Sequence, residues 1–262
     1  MNSGPLLPTV DLLDMHLACV DREQLLDHLF SELGQARGGW LITANLDFLR
    51  RHVRDAHLRR LYGAADLRVA DGMPLVWAAR LQGQPLPERI AGSELMAPLA
   101  ERAASAGRSL YLLGGAPGAA PKAAQVLQER HASLRIAGHS APMVSDPPTE
   151  EQLAPLLIEL ERCRPDILLV GLGSPKQERL IERLRERFPA MWMIGVGVTF
   201  SFVAGDVRQA PPWMRRFSLE WVHRLAQEPG RLGRRYVVDG LPFAAELFGR
   251  VIARRVATRL GL

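Results

Sequence analysis

Asp71 directly follows the apolar run Leu67–Ala70, and the turn Gly72-Met73-Pro74 comes straight after it. A carboxylate in that place can cap the helix that Pro74 would open. It can also take a proton from a bound hydroxyl, if pKa and geometry suit. The residues alone leave both readings open. Thr43 and Asn45, in "LITANLDFL", end another apolar run, and Asn45 suits the N-cap of the helix that follows. Two further runs turn through glycine: "LLGGAPGAAPKAA" at Gly114, Gly115 and Gly118, and "VGLGSPKQERLI" at Gly171 and Gly173. The second turn leads into Pro175, Lys176, Gln177 and Glu178. Glycine at a strand-to-helix turn lets backbone N–H groups approach a phosphate, whose charge the helix N-terminus favours. Neither turn is a complete GxGxxG fingerprint, so one alone says little, but two together point to a nucleotide site. Downstream of Asp71, "PERIAGSELM" adds Glu88, Arg89, Gly92 and Ser93. No HExxH, Asp-x-Asp or clustered Cys/His set occurs and the seven histidines are scattered, so no metal site is expected.

These residues need a scaffold, and the hydrophobic pattern supplies one. Six short apolar runs (Trp40–Ala44, Leu67–Ala70, Ser109–Gly115, Leu134–Gly138, Asp166–Gly173 and Met191–Val198) have the length and composition of strands buried on both faces. Between them lie helical spacings over Asp21–Arg37, Leu46–Leu61, Pro117–Arg130, Thr149–Cys163 and Pro175–Phe188, the first opened by a capping-box pair, Asp21 and Gln24. The alternation predicts an α/β fold, a Rossmann-like, mostly parallel sheet between helices. Ligands bind beyond the carboxyl ends of such strands, where every polar feature above is placed. "SAPMVSDPPTEEQ" reads as a surface connection and does not divide the chain.

The tail differs from this core. From Gly205 to Leu262 there are 11 arginines, no lysine and 5 acids, a net +6, while the whole chain carries +5. Residues 1–204 are therefore near neutral and read as the core; 205–262 read as a basic, helical C-terminal appendage. Its first helical stretch puts Trp213, Met214, Phe217, Trp221, Val222 and Leu225 on one face. Its last sets Phe243, Leu247, Phe248, Val251, Ile252 and Val256 against Arg250, Arg254 and Arg259. Such faces suit either a lipid surface or the core; for the last helix the one-signed charge favours the lipid surface. The N-terminus lacks a basic n-region, and no apolar run reaches the roughly 18–20 residues of a membrane span. Two cysteines without a CxxC pair suit a reducing cytoplasm.

The stretches "TANLDFL", "ADGMPLVWAARLQGQPLPERIAGSEL", "LYLLGGAPG", "PDILLVGLGSPKQE", "IGVGVTFSFVAGDVRQAPPWMRRFSLEWVHRLAQEP" and "RRY", in this order, resemble the WecG/TagA/CpsF glycosyltransferases from about Thr43 to Tyr236. The resemblance implies an inverting, metal-independent transfer of a sugar from a UDP-sugar to an undecaprenyl-diphosphate-linked saccharide, with no cofactor, at the cytoplasmic face of the membrane. It implies that Asp71 is the base for the acceptor hydroxyl, that Thr43 and Asn45 belong to the substrate pocket, and that Arg89 and Gln177 contact donor or acceptor. It further implies that the turns at Gly114–Gly115 and Gly171–Gly173 cradle the UDP. The appendage would dock on the membrane and complete the active site, with Arg215, Arg216, Arg224, Arg231, Arg234 and Arg235 as candidates for the diphosphate.

Pro74, the pair Ser93-Glu94 and Ser201 depart from the family's usual residues and leave the donor open among glucose, N-acetylmannosamine and its uronate. Homo-oligomerisation is equally open. A Rossmann-type oxidoreductase would need the complete glycine fingerprint that "GGAPGAAP" lacks. A non-catalytic nucleic-acid binder would use the arginine tail but leave Asp71 and both glycine turns without a role, so no nucleic acid is expected as partner.

Overall fold

All six apolar runs are strands. The computed structural model describes residues 7–207, 210–211, 214, 220–227 and 229–260, without the side chains of 220, 224, 231 and 258–260. The chain opens with an antiparallel hairpin, β1 (Thr9–Leu12) and β2 (Met15–Ala18), which the sequence does not announce: its turn residues Leu13 and Asp14 both take positive φ without a glycine. The main sheet follows with β3 (Gly39–Ala44), β4 (Leu67–Ala70), β5 (Ser109–Gly114), β6 (Arg135–Ser140), β7 (Ile167–Gly171) and β8 (Trp192–Gly195). Their order is β4-β3-β8-β7-β5-β6, and every pairing is parallel.

Alternation along the strands builds a core on each face. Ile42, Tyr111, Leu113, Leu168 and Met193 are buried on one face; Leu41, Leu110, Leu112, Leu169 and Ile194 are buried on the other. On the first face lie α2 (Leu46–Arg54), α3 (Ala56–Gly63), α4 (Met73–Gln82), α7 (Glu150–Cys163) and α8 (Lys176–Arg185). On the second lie α1 (Arg22–Gly34), α5 (Gly92–Ser105), α6 (Ala119–Arg130) and α9 (Thr199–Val203). The capping box of α1 forms as its residues suggest. The single helix expected over Leu46–Leu61 is instead two. Asp55 is extended and its carboxylate accepts from His57 and Leu58 N–H at 2.8 and 3.1 Å, so side chain–backbone bonding outcompetes helix continuation there.

The C-terminal segment forms α10 (Glu220–Gln227), α11 (Pro229–Gly233), a π-helical stretch (Arg234–Gly240) and α12 (Leu241–Leu260). Here the lipid-facing expectation for the last helix needs correction. Phe243, Leu247 and Val251 are buried with Leu12, Leu75, Val76 and Ala79, and α12 packs along α4. Its cations are partly engaged by the protein as well: Arg250 pairs with Glu246 at 2.8 Å and Arg254 with Asp11 at 3.2 Å. The apolar face closes the protein's own core, because α4 would otherwise leave that core open. Ile252 and Val256, one turn apart, remain exposed. Among the described residues no helix is long and apolar enough to cross a membrane.

Candidate active site

Register places the chemistry. Ala44 of β3 pairs with Ala70 of β4, and Asp71 N–H donates to the Ala44 carbonyl at 2.7 Å. Asn45 and Asp71 therefore leave the sheet side by side at its carboxyl edge. Both line a cavity of about 450 Å³. Its walls come from Asn45 and Asp47 at the start of α2, from Gly72 and from Met73, Pro74 and Trp77 in the first turns of α4, and from Arg89, Ser93 and Glu94 before and within α5. Trp221, Arg235, Tyr236, Leu241 and Phe248 of the C-terminal segment complete it.

The cap reading of Asp71 does not hold. Gly72 is the N-cap of α4, and among the described residues no side chain caps that helix end. Asp71 instead faces Gly92, whose N–H lies 3.5 Å from Oδ2, and Arg89, whose Nη1 lies 4.0 Å from Oδ1. Arg89 is held from behind by Glu94, with Nη2 donating to Oε1 at 2.7 Å. Asn45 is an N-cap: its Oδ1 caps α2 by accepting from Asp47 and Phe48 N–H at 3.1 and 3.3 Å, and the residue also lines the cavity. Thr43 sits one layer deeper. It is buried, and its hydroxyl oxygen would be 3.2 Å from a β-carbon on Gly92, so the wall that carries the Gly92 N–H rests on it.

Gln177 and the two glycine turns lie along the same sheet edge but outside the cavity lining. Gln177 is buried, donating from Nε2 to Glu178 Oε1 at 2.7 Å and accepting from Gly197 N–H at 3.2 Å. Gly114, Gly115 and Gly173 have positive φ, as turns of this sharpness require, and Gly115 N–H donates to the Gly171 carbonyl at 2.7 Å. Gly115 and Gly171 press on Phe200, which a β-carbon at either position would approach to 3.0 Å. Arg235 lines the cavity and Arg234 is exposed. Arg215 and Arg216, and the side chains of Arg224 and Arg231, lie outside the described residues. Of the positions that depart from the family's usual residues, Pro74, Ser93 and Glu94 line the cavity; Ser201 is buried. A shallower depression between α6 and β6, along Pro121, Gln125, Gln128 and His139, holds none of the singled-out residues.

Sequence reasoning gave no site role to several wall residues, Trp77 and Tyr236 among them, and the charged one it missed is Asp47. It is 9% exposed, with Arg50 Nη2 at 2.8 Å, Arg51 Nη2 at 2.9 Å and Arg235 Nε at 3.1 Å. Burial pushes its carboxyl up, but Arg235, Arg50 and Arg51 together hold it below the usual range, so it is ionised. An acid in the first turn of a helix ordinarily signals only the helix dipole, and no local pattern announces a partner from the far end of the chain. Glu178 is the opposite case. Burial is the largest influence on its carboxyl and holds it above the ordinary 4.5, against bonds from Gln177 and Ser174 that lower it. The unfolded chain ionises at the ordinary value, so the stability this group contributes is full below about 4.5 and is lost as pH rises. Glu178→Gln is expected to flatten the pH dependence of the urea midpoint above that value; an unchanged slope would show that Glu178 ionises freely in the fold.

Among the described residues no group of three His, Cys, Asp or Glu side chains is gathered that could hold a metal ion. What the cavity offers is a carboxylate beside guanidiniums with aromatic and apolar walls, an arrangement that can deprotonate a hydroxyl and offset anionic charge.

Comparison with known proteins agrees in kind. The sequence model of the glycosyl transferase WecG/TagA/CpsF family matches residues 10–257 of the chain. The chain is also similar to the N-acetylglucosaminyldiphosphoundecaprenol N-acetyl-beta-D-mannosaminyltransferase of Bacillus spizizenii. The two are 30% identical over 202 residues, covering 77% of this chain and 76% of that protein.

Proposed function

The chain belongs to the WecG/TagA/CpsF glycosyltransferase family, and on that premise we propose that it moves N-acetylmannosamine from its UDP-sugar to an N-acetylglucosamine carried on undecaprenyl diphosphate. The observation that carries this reading is the meeting of Asp71, Arg89 and Arg235 in one cavity, with Asp71 relieved of any capping duty. Asp71 takes the proton of the acceptor hydroxyl as its oxygen attacks the anomeric carbon. The bond from that carbon to the UDP oxygen breaks on the opposite face, so configuration inverts and UDP leaves with the electron pair. Arg89 and Arg235 offset the charge that develops, in the place a divalent cation takes in other transferases. The turns at Gly114–Gly115 and Gly171–Gly173 cradle the UDP, and Gln177 fixes the neighbouring turn through Gly197.

Three exposed apolar side chains of the cavity lining, Trp77 (45%), Trp221 (41%) and Leu241 (53%), suit a lipid-borne acceptor arriving at a membrane surface. The choice of N-acetylmannosamine rests on the Bacillus spizizenii enzyme's name. A panel of UDP-sugars with the undecaprenyl-diphosphate acceptor, read by product mass, tests it. Transfer is expected from UDP-N-acetylmannosamine, at the same rate in EDTA. Product from UDP-glucose alone would overturn the donor, and a strict Mg²⁺ requirement would overturn the metal-free mechanism.

A further inference from the structure

Asp47 stands in the cavity wall with no step of the transfer assigned to it. A buried carboxylate surrounded by guanidiniums is a weak device for stability alone, because desolvation of the ions cancels much of their attraction and apolar packing serves as well. Its partners suggest another purpose. Arg50 and Arg51 come from its own helix and fix the carboxylate in place; Arg51 also donates to the Ser174 carbonyl at 3.2 Å, ahead of Gln177. Arg235 comes from the C-terminal segment, and it is the partner that shares the cavity lining with Asp47.

Arg235 lies in the π-helical stretch, a rare geometry frequently found at functional sites. The stretch puts Arg235 and its neighbour Tyr236 both on the cavity wall. Gly240 allows this close winding, since a β-carbon there would lie 3.0 Å from the Arg235 carbonyl oxygen. Although Arg235 Nε is 3.1 Å from Asp47 Oδ2, its proton makes no aligned hydrogen bond and is buried. The pair is held by charge through the buried Nε, which leaves the Nη groups of the guanidinium to donate to a ligand.

We propose that Asp47 is a positioning residue of the transfer site: it holds Arg235 at the cavity wall so that this guanidinium meets a diphosphate of the substrates. The inference rests on the function proposed above. Both substrates carry a diphosphate, the UDP-sugar and the lipid acceptor, and the experiment separates them.

Full-length wild type, Asp47→Asn, Arg235→Gln, the double variant and Asp47→Glu are assayed with UDP-N-acetylmannosamine and the undecaprenyl-diphosphate acceptor, varying each substrate in turn. Asp47→Asn and Arg235→Gln are each expected to raise the KM of one substrate by about tenfold, the scale of a displaced charge-assisted bond. The KM of the other substrate stays unchanged, and the one that moves identifies the diphosphate. The double variant is expected to be no worse than Arg235→Gln, since the two residues act as a unit. Asp47→Glu keeps the charge, and its smaller rise in the same KM should vanish in the Arg235→Gln background; this arm decides the matter if Asp47→Asn does not fold. Unchanged KM values in the Asp47 variants, or effects that multiply in the double variant, overturn the inference and leave the proposed function standing. Absence of transfer by the wild type overturns both.

Discussion

Asp71→Asn is expected to slow sugar transfer by ~10²–10⁴-fold, the usual worth of a general base, while UDP binding stays within about twofold of wild type, since the substitution preserves uniform binding of the nucleotide. Asparagine matches aspartate in shape and can still accept from the Gly92 N–H that faces Asp71 Oδ2. It cannot take a proton from a hydroxyl. Because Gly72, not Asp71, caps α4, the substitution removes no helix cap, and the thermal midpoint should hold within a few degrees. Steady-state transfer, calorimetric UDP binding and a thermal melt on the same preparation check the three parts. Near-normal transfer would remove Asp71 from its role; a collapsed melt would make it structural.

The second large effect concerns the C-terminal segment. Deleting everything after Gly205 removes Trp221, Arg235, Tyr236, Leu241 and Phe248 from the cavity wall. It also uncovers the core face that Phe243, Leu247 and Val251 close. Transfer is expected to vanish, and association with anionic liposomes to weaken with it. Full-length protein with Trp77→Ser, Trp221→Ser and Leu241→Ser tests the membrane part without opening the core, since these side chains are half exposed. It should float less with liposomes while its urea midpoint holds. Undiminished flotation by both proteins would show that the segment completes the cavity without meeting lipid.

Much of the scaffold is legible in the residues. Runs such as "DILLVGLG" read as strands because both faces of the sheet are covered, so the apolar pattern is continuous and unambiguous. The β1–β2 hairpin is not legible: four-residue strands joined through Leu13 and Asp14 carry no glycine or asparagine turn signal. Nor is the break at Asp55, where a capping carboxylate sits inside an otherwise helical spacing. At the site, spacing finds Asp71 and Asn45 because strand ends on a parallel sheet converge by register. It cannot tell whether Asp71 caps α4, since a cap and a base share the same sequence position; the N-cap geometry of Gly72 removes the cap reading. Asp47 stays invisible because its meaning comes from Arg235, a partner no local window contains. The tail shows the same limit: charge asymmetry sets it apart, but an amphipathic helix that closes a core looks like one that lies on lipid.

Single-turnover transfer, with enzyme in excess over UDP-N-acetylmannosamine and the lipid product followed by mass, isolates the chemical step from binding and release. Wild type is expected to convert the donor to undecaprenyl-diphosphate disaccharide in one fast phase, and Asp71→Asn to bind the same donor yet convert it at least about a hundredfold more slowly. Equal rates in the two proteins would contradict the claim that Asp71 is the base of a glycosyl transfer.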